Sequence, residues 1–184
     1  HLEWVYRSGE SLIINIPPRH AKSLLVSVFF NAWVWVNDPS KTFLCSTRSQ
    51  PLTLRDSQRA RELIKSKWFS ELFGAMQFAE DQDAKSFYKN LQKGSRQSVS
   101  VNSGVTGDGA DIRLVDDPVD ASDSLNDEAL KKANTWFDQT FSTRISSPDY
   151  TPIIIVMQRL ADNDLSGHLI EKGHNVLCLP LEYD

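Results

Sequence analysis

The chain has 184 residues, 40% of them apolar, with 20 Lys and Arg against 24 Asp and Glu. A chain of this size buries roughly 70% of its unfolded surface, so it needs no metal or disulfide staple to fold. The composition excludes a collagen and wholesale disorder, the longest apolar runs, 24–36 and 152–157, are too short to span a bilayer, and no signal peptide is recognisable. Cys45 and Cys178 lie far apart in apolar runs, which reads as two buried thiols of a reducing compartment.

The net charge of −4 divides unevenly: residues 1–68 carry +5 and residues 69–184 carry −9. No broad basic surface results, so tight autonomous binding to nucleic acid is not expected, while a local basic face stays open.

Leu2–Arg7 reads as the end of a helix, and with no initiator Met an excised domain is expected. Ser11–Ile16 is a β-branched run stopped by Pro17-Pro18, which predicts a buried strand. From Ala21 to about Val36 the apolar residues recur at helical spacing and crowd the other faces too, predicting a buried helix with Trp33 and Trp35 in the core. Thr42–Ser46 predicts a short strand, and Leu54–Trp68 an amphipathic helix with Ala60, Leu63, Ile64 and Trp68 on one face. Arg55, Arg59, Arg61 and Lys65 cover its other side, a solvated surface by default.

Residues 71–110 lack long periodicity. Ser86–Tyr88 and Arg96–Val101 alternate, predicting a small β insertion before the Gly-rich Ser103–Gly109. Ile112–Val115 predicts a strand running into Asp116-Asp117-Pro118. Asn126 and Asp127 cap a helix through about Phe141. Pro152–Met157 predicts a buried strand, Leu165–Glu171 a helix, and Asn175–Leu179 a last strand. Strands alternating with helices give an α/β fold, with a mainly parallel central sheet flanked by helices on both faces.

In such sheets chemistry gathers at the carboxyl ends of the strands. There the chain places Arg19, Lys22 and Ser23, then Asp116 and Asp117, then Gln158 and Arg159. Strand, Pro17-Pro18-Arg19-His20-Ala21-Lys22-Ser23, then helix is the layout of a phosphate-binding loop. The helix start offers free N–H groups, Lys22 a full positive charge and Ser23 a hydroxyl for Mg2+. The fit to G-x-x-x-x-G-K-[ST] is imperfect, because Ile16 and Ala21 stand where glycines belong. A side chain at Ala21 costs about 1 kcal/mol if the backbone there is left-handed. Asp116-Asp117 after an apolar strand fits a Walker B pair: Asp116 to hold the Mg2+ water shell, Asp117 to orient or deprotonate the attacking water. Taken singly, each element has a plain reading: a Lys-Ser at a solvated helix start, an acidic turn, a polar strand end at Met157-Gln158-Arg159. His168 and His174 near Asp162 and Asp164 lack the tight constellation of a zinc site.

Four stretches, Ile14–Ser27 (INIPPRHAKSLLVS), Ser103–Pro118 (SGVTGDGADIRLVDDP), Trp136–Arg144 (WFDQTFSTR) and Ile154–Leu169 (IIVMQRLADNDLSGHL), together resemble the ATPase domain of the large terminase subunit of tailed bacteriophages and prophages, in that family's order and over almost the whole chain. Ala21, where many members have Gly or Ser, and Asp117, where many have Glu, depart from the family pattern. The resemblance implies a P-loop NTPase fold of the ASCE/RecA-like type. It implies that ATP and Mg2+ bind at Pro18, Arg19, His20, Ala21, Lys22 and Ser23, with Ser23 and Asp116 on the metal side. Catalysis would rest on Asp117, on Arg19 as a γ-phosphate contact within the same subunit, and on Gln158 as γ-phosphate sensor within a coupling motif at Val156–Arg159. An arginine acting from a neighbouring subunit is also expected, with Arg96, Arg113 and Arg144 as candidates.

By the same resemblance the partners would be double-stranded DNA, the portal protein and the small terminase subunit. The protein would form a homo-oligomeric ring on a procapsid in the host bacterial cytoplasm, with no membrane, and would be a monomer as an isolated domain. An adenine-contacting segment would precede residue 1 and a nuclease domain would follow residue 184. Two other readings stand beside this one: a helicase-like P-loop ATPase of another family, and a degenerate nucleotide-binding or interaction module without turnover.

Overall fold

In the computed structural model, residues 1–101, 103–104 and 109–182 are described, without the side chains of residues 80–83. In chain order they form α1 (Leu2–Ser8), β1 (Leu12–Asn15), a π-helical turn Leu24–Phe29 continuing as α2 (Phe30–Asn37), β2 (Phe43–Thr47), α3 (Gln50–Lys65), α4 (Lys67–Phe73), β3 (Phe78–Asp83), β4 (Phe87–Asn90), β5 (Ser95–Ser100), β6 (Ile112–Asp116), α5 (Asp127–Trp136) continuing as a π-helical turn Phe137–Phe141, β7 (Ile153–Met157), α6 (Leu165–Glu171) and β8 (Asn175–Cys178). Most of the Gly-rich stretch expected at 103–109, along with Asn102, Tyr183 and Asp184, lies outside the described residues.

All eight strands join in one sheet of order β3-β4-β5-β2-β6-β7-β1-β8. Six of them, from β5 to β8, pair in parallel. β4 and β3 extend the β5 edge antiparallel. The expected β insertion is therefore only partly separate: Arg96–Val101 falls mostly in β5, which pairs along β2 as a full member of the parallel sheet.

Alternation along the strands builds two cores, one on each face. Ile13, Leu44, Val115 and Ile155 pack with Leu130, Ala133, Phe137, Phe141, Leu165 and Leu169 of the α5 and α6 side. Leu12, Ile14, Phe43, Cys45, Leu114, Ile154 and Val156 pack with Val5, Val26, Phe30, Val34, Trp35, Ile64 and Phe69 on the opposite face. The four central strands, β1, β2, β6 and β7, are buried at every position, as strands covered on both sides must be.

Several expectations need correction. Trp35 is core, but Trp33 is 36% exposed and shares an exposed apolar row with Leu25, Phe29 and Val36; the run is apolar all round, yet only one side of it meets the sheet. The long helix ends at Lys65, because Ser66 leaves helical geometry and caps a separate α4 by accepting the Phe69 N–H. Trp68 thus sits on α4, exposed. The buried residues of α3 are Thr53, Asp56, Ser57, Ala60 and Ile64, and Arg55 and Arg59 both pair with the buried Asp56. Cys178 is exposed, since β8 is an edge strand, whereas Cys45 is buried. Among the described residues no helix is long and apolar enough to cross a membrane.

Candidate functional site

Pro17 has no N–H to continue the ladder, so β1 ends at Asn15 and the chain turns away at the carboxyl edge of the sheet. The departure is pinned on both sides. Ile16 N–H donates to the Met157 carbonyl at the end of β7, and Leu179 N–H donates to the Asn15 carbonyl. Asn15 is also bonded through its side chain to the buried Ser166 hydroxyl of α6, at 2.7 and 2.8 Å. The loop that follows carries two left-handed non-glycine residues, Arg19 (φ 67°) and Ala21 (φ 55°). Ala21 therefore does occupy a conformation that glycine adopts freely. Pro18, Arg19, His20 and Ala21 are exposed, and Ser23 is half-buried. The His20 ring nitrogen Nδ1 lies 2.8 Å from the Pro18 carbonyl, holding the loop tip to itself.

Lys22 turns inward and is only 8% exposed. Its ammonium lies 2.8 Å from Asp117 Oδ2. Strand order explains the meeting: β7 separates β1 from β6, so the loop after β1 and the residue after β6 face each other across the end of one strand. Asp117 adopts φ 44°, a left-handed geometry that Asp tolerates better than most residues. Its own N–H donates to the Val156 carbonyl, and its carbonyl accepts the Arg48 N–H. Its Oδ1 accepts the Gln158 backbone N–H at 3.4 Å. Lys22, Asp117 and Gln158 are thereby brought together at one rim.

Asp116, the last residue of β6, is buried beneath that rim. Ser27, one turn into the helix, donates its hydroxyl to Asp116 Oδ2 at 3.0 Å. Asp116 Oδ1 is buried with no hydrogen-bond partner. Burial pushes the Asp116 carboxyl up to about 6; the Ser23 and Ser27 hydroxyls pull it down, and the neighbouring Asp117 charge pushes it further up.

Among the described residues no group of three or more His, Cys, Asp or Glu can hold a metal. A divalent cation at this rim would therefore come with oxygen ligands of its own, the usual habit of Mg2+ with water and phosphates. The unpartnered Asp116 Oδ1 and the Ser23 hydroxyl fit that part. A cavity of about 300 Å³ adjoins the loop between Ile16–Pro18, Gln158-Arg159 and Cys178–Pro180. Lys22, Ser23, Asp116 and Asp117 do not line it.

Two candidates for an arginine acting on a neighbour are excluded by position. Arg96 is buried and donates through Nη1 to the Ser27 carbonyl at 2.6 Å and to Asn31 Oδ1 at 3.1 Å. Arg113 is buried and donates to the Ser142 and Thr151 carbonyls. Both are spent on internal carbonyls. Arg144 is half-buried. Arg19 stands exposed beside the rim, whereas Arg159 folds back on its own loop, its Nη2 donating to the Ala161 carbonyl and its Nε 3.4 Å from Asp164. His168 faces Asp138 at 2.9 Å, together with Lys172 at 2.8 Å, not Asp162 or Asp164.

Sequence reasoning gave Ser27 and Asp164 no structural role and read Arg96 as a candidate for a neighbour's site rather than as the internal anchor it is. Ser27 stands four residues after Ser23, on the same side of a helix, a spacing that was available as a signal. Asp164, fully buried, caps α6 through Gly167 N–H and also accepts the Leu160 and Ala161 N–H groups. Its place directly before Leu165 was a capping signal.

No protein-family model matches the chain, and no curated protein sequence is similar to it. Solved structures are. The large terminase of bacteriophage HK97 superposes with a TM-score of 0.56 at 12% identity, over 95% of this chain and 37% of that one. A mutant large terminase ATPase domain of Thermus phage P74-26 gives 0.57 at 14% identity, over 86% of this chain and 64% of that one. The chain thus spans less than two thirds of either relative. At these identities the likeness is one of fold: this chain's mostly parallel eight-stranded α/β sheet resembles the fold of large-terminase ATPase domains.

Proposed function

We propose that this chain is the ATP-hydrolysing motor domain of a large terminase, which powers movement of double-stranded DNA into a procapsid. The observation that carries the reading is the meeting, across the end of β7, of the Lys22 ammonium with Asp117, above a buried Asp116 with one carboxylate oxygen unpartnered. A cation, a carboxylate free for a metal's water shell and a second carboxylate at the rim are the parts that phosphoryl transfer to water needs.

In this reading the start of the helix and Lys22 hold the β- and γ-phosphates. Ser23 and Asp116 would hold Mg2+ and its water shell, and the metal would supply neutralisation of charge on the phosphate oxygens. Asp117 takes a proton from, or aligns, the attacking water, and Arg19 meets charge developing on the transferred group. Gln158, whose backbone already contacts Asp117, senses whether the γ-phosphate is present. The portal protein, the small subunit and a homo-oligomeric ring are partners of the whole motor. The two solved relatives, a large terminase and a large terminase ATPase domain, support the choice of a terminase over a helicase-like ATPase.

The test is steady-state ATP hydrolysis by the protein. Turnover that needs Mg2+ and falls at least about 100-fold in Asp117→Ala is expected. Turnover retained in that variant would show that another group activates the water. The left-handed Ala21 and the Lys22 ammonium already paired with Asp117 favour the degenerate module as a second reading, which predicts no turnover in either protein.

A further inference from the structure

Beneath the rim the buried polar groups form a single line. Asp116 Oδ2 accepts the Ser27 hydroxyl at 3.0 Å. The Ser27 carbonyl accepts Arg96 Nη1 at 2.6 Å, and the same nitrogen reaches Asn31 Oδ1 at 3.1 Å. Asp116, Ser27, Asn31 and Arg96 are each no more than 2% exposed. Arg96 lies on β5, the last strand of the parallel part, beside which the antiparallel β4 joins, and Ser27 lies in the π-helical turn Leu24–Phe29 that follows the loop. Single π-helical turns recur at functional sites, and here the turn carries Ser27, which holds the carboxylate one turn beyond the Ser23 hydroxyl.

Ser27 engages Oδ2, the Ser23 hydroxyl sits near enough to pull the carboxyl's pKa down, and Oδ1 has no hydrogen-bond partner of its own. With Oδ2 held by Ser27, Oδ1 is the oxygen left without a partner. We infer that Ser27 is a positioning residue for the metal side of the site, holding Asp116 so that Oδ1 serves the hydrated divalent cation, with Arg96 anchoring the turn that presents Ser27. The inference rests on reading the rim as a magnesium–triphosphate site. It adds a residue that touches neither nucleotide nor metal, and it ties β5 to the metal carboxylate through one side chain.

The test measures ATP affinity twice, with Mg2+ and with excess EDTA, on the wild type and on Ser27→Ala, Ser27→Cys and Ser27→Thr. Each protein's thermal midpoint is recorded beside it. Groups that orient metal ligands typically contribute 10- to 100-fold to metal affinity. In Ser27→Ala the gain in affinity from Mg2+ should therefore shrink by about tenfold or more, while the affinity in EDTA stays as in wild type. Ser27→Cys nearly keeps the volume but donates weakly, so it should behave like Ser27→Ala even if the cavity in that variant impairs folding. Ser27→Thr should restore the gain. An undiminished Mg2+ effect in Ser27→Ala and Ser27→Cys overturns the inference and leaves the site's reading standing; so does a loss equal in both buffers. A wild type that gains nothing from Mg2+ overturns the reading of the site itself.

Discussion

At residue scale two side chains carry measurable tension. Asp116 is held near 6 in the fold against an ordinary value of 3.8, so the folded protein keeps its proton where the unfolded chain has lost it. The sign follows. Asp116 does not penalise the fold below about pH 4, and stability is lost as pH rises through 6, by about 3 kcal/mol in all. Asp116→Asn should remove that component. Urea unfolding at pH 5 and pH 8 should show the variant gaining relative to wild type at the higher pH, and a difference independent of pH would contradict the burial of an ionisable group there. Ala21 is the second case. Its left-handed backbone costs about 1–2 kcal/mol, against about 0.4–1 kcal/mol that Gly loses through unfolded-chain entropy. Ala21→Gly should therefore raise stability by roughly 0.5–1 kcal/mol, a rise of about 2–3 °C in thermal midpoint. A fall would mean that the loop does not hold Ala21 at positive φ.

At the scale of elements, the central strands β1, β2, β6 and β7 were readable because buried parallel strands are short apolar runs, and Pro17-Pro18 and Asp116-Asp117-Pro118 punctuate them, whereas β3 (Phe78–Asp83) carries no such run and was not foreseen. What the letters hide is pairing. Nothing local in Arg96–Val101 says that it lies beside β2, and nothing in Arg96 or Arg113 says that a charged residue is buried against carbonyls. The chemistry at the rim was legible as residue types, but the contact between Lys22 and Asp117 depends on β7 lying between β1 and β6, which only the assembled sheet supplies. The loop after β7 depends on one buried carboxylate in the same way. Asp164 accepts three N–H groups and faces Arg159, while a Cβ at Gly167 would collide with the Asp162 carbonyl. Asp164→Ala strands those donors, so a loss of about 2–4 kcal/mol is expected in urea unfolding at unchanged m-value. A loss under about 0.5 kcal/mol would show that the loop finds other acceptors.

At the scale of the whole molecule, one sheet edge gathers everything the account uses: the loop after β1, the carboxylates at the end of β6 and Gln158 after β7. The fold is shared with large-terminase ATPase domains, and fold alone does not carry activity, so the claim stands on whether that edge takes a magnesium triphosphate. Calorimetric titration with ATP and Mg2+ of the wild type and of Lys22→Ala, both checked for intact folding, reads this directly. Saturable heat in the wild type that falls at least about tenfold in affinity in Lys22→Ala is the result the account predicts, since Lys22 is the full positive charge it directs at the β- and γ-phosphates. No heat from a folded wild type, or equal binding by the variant, would contradict it.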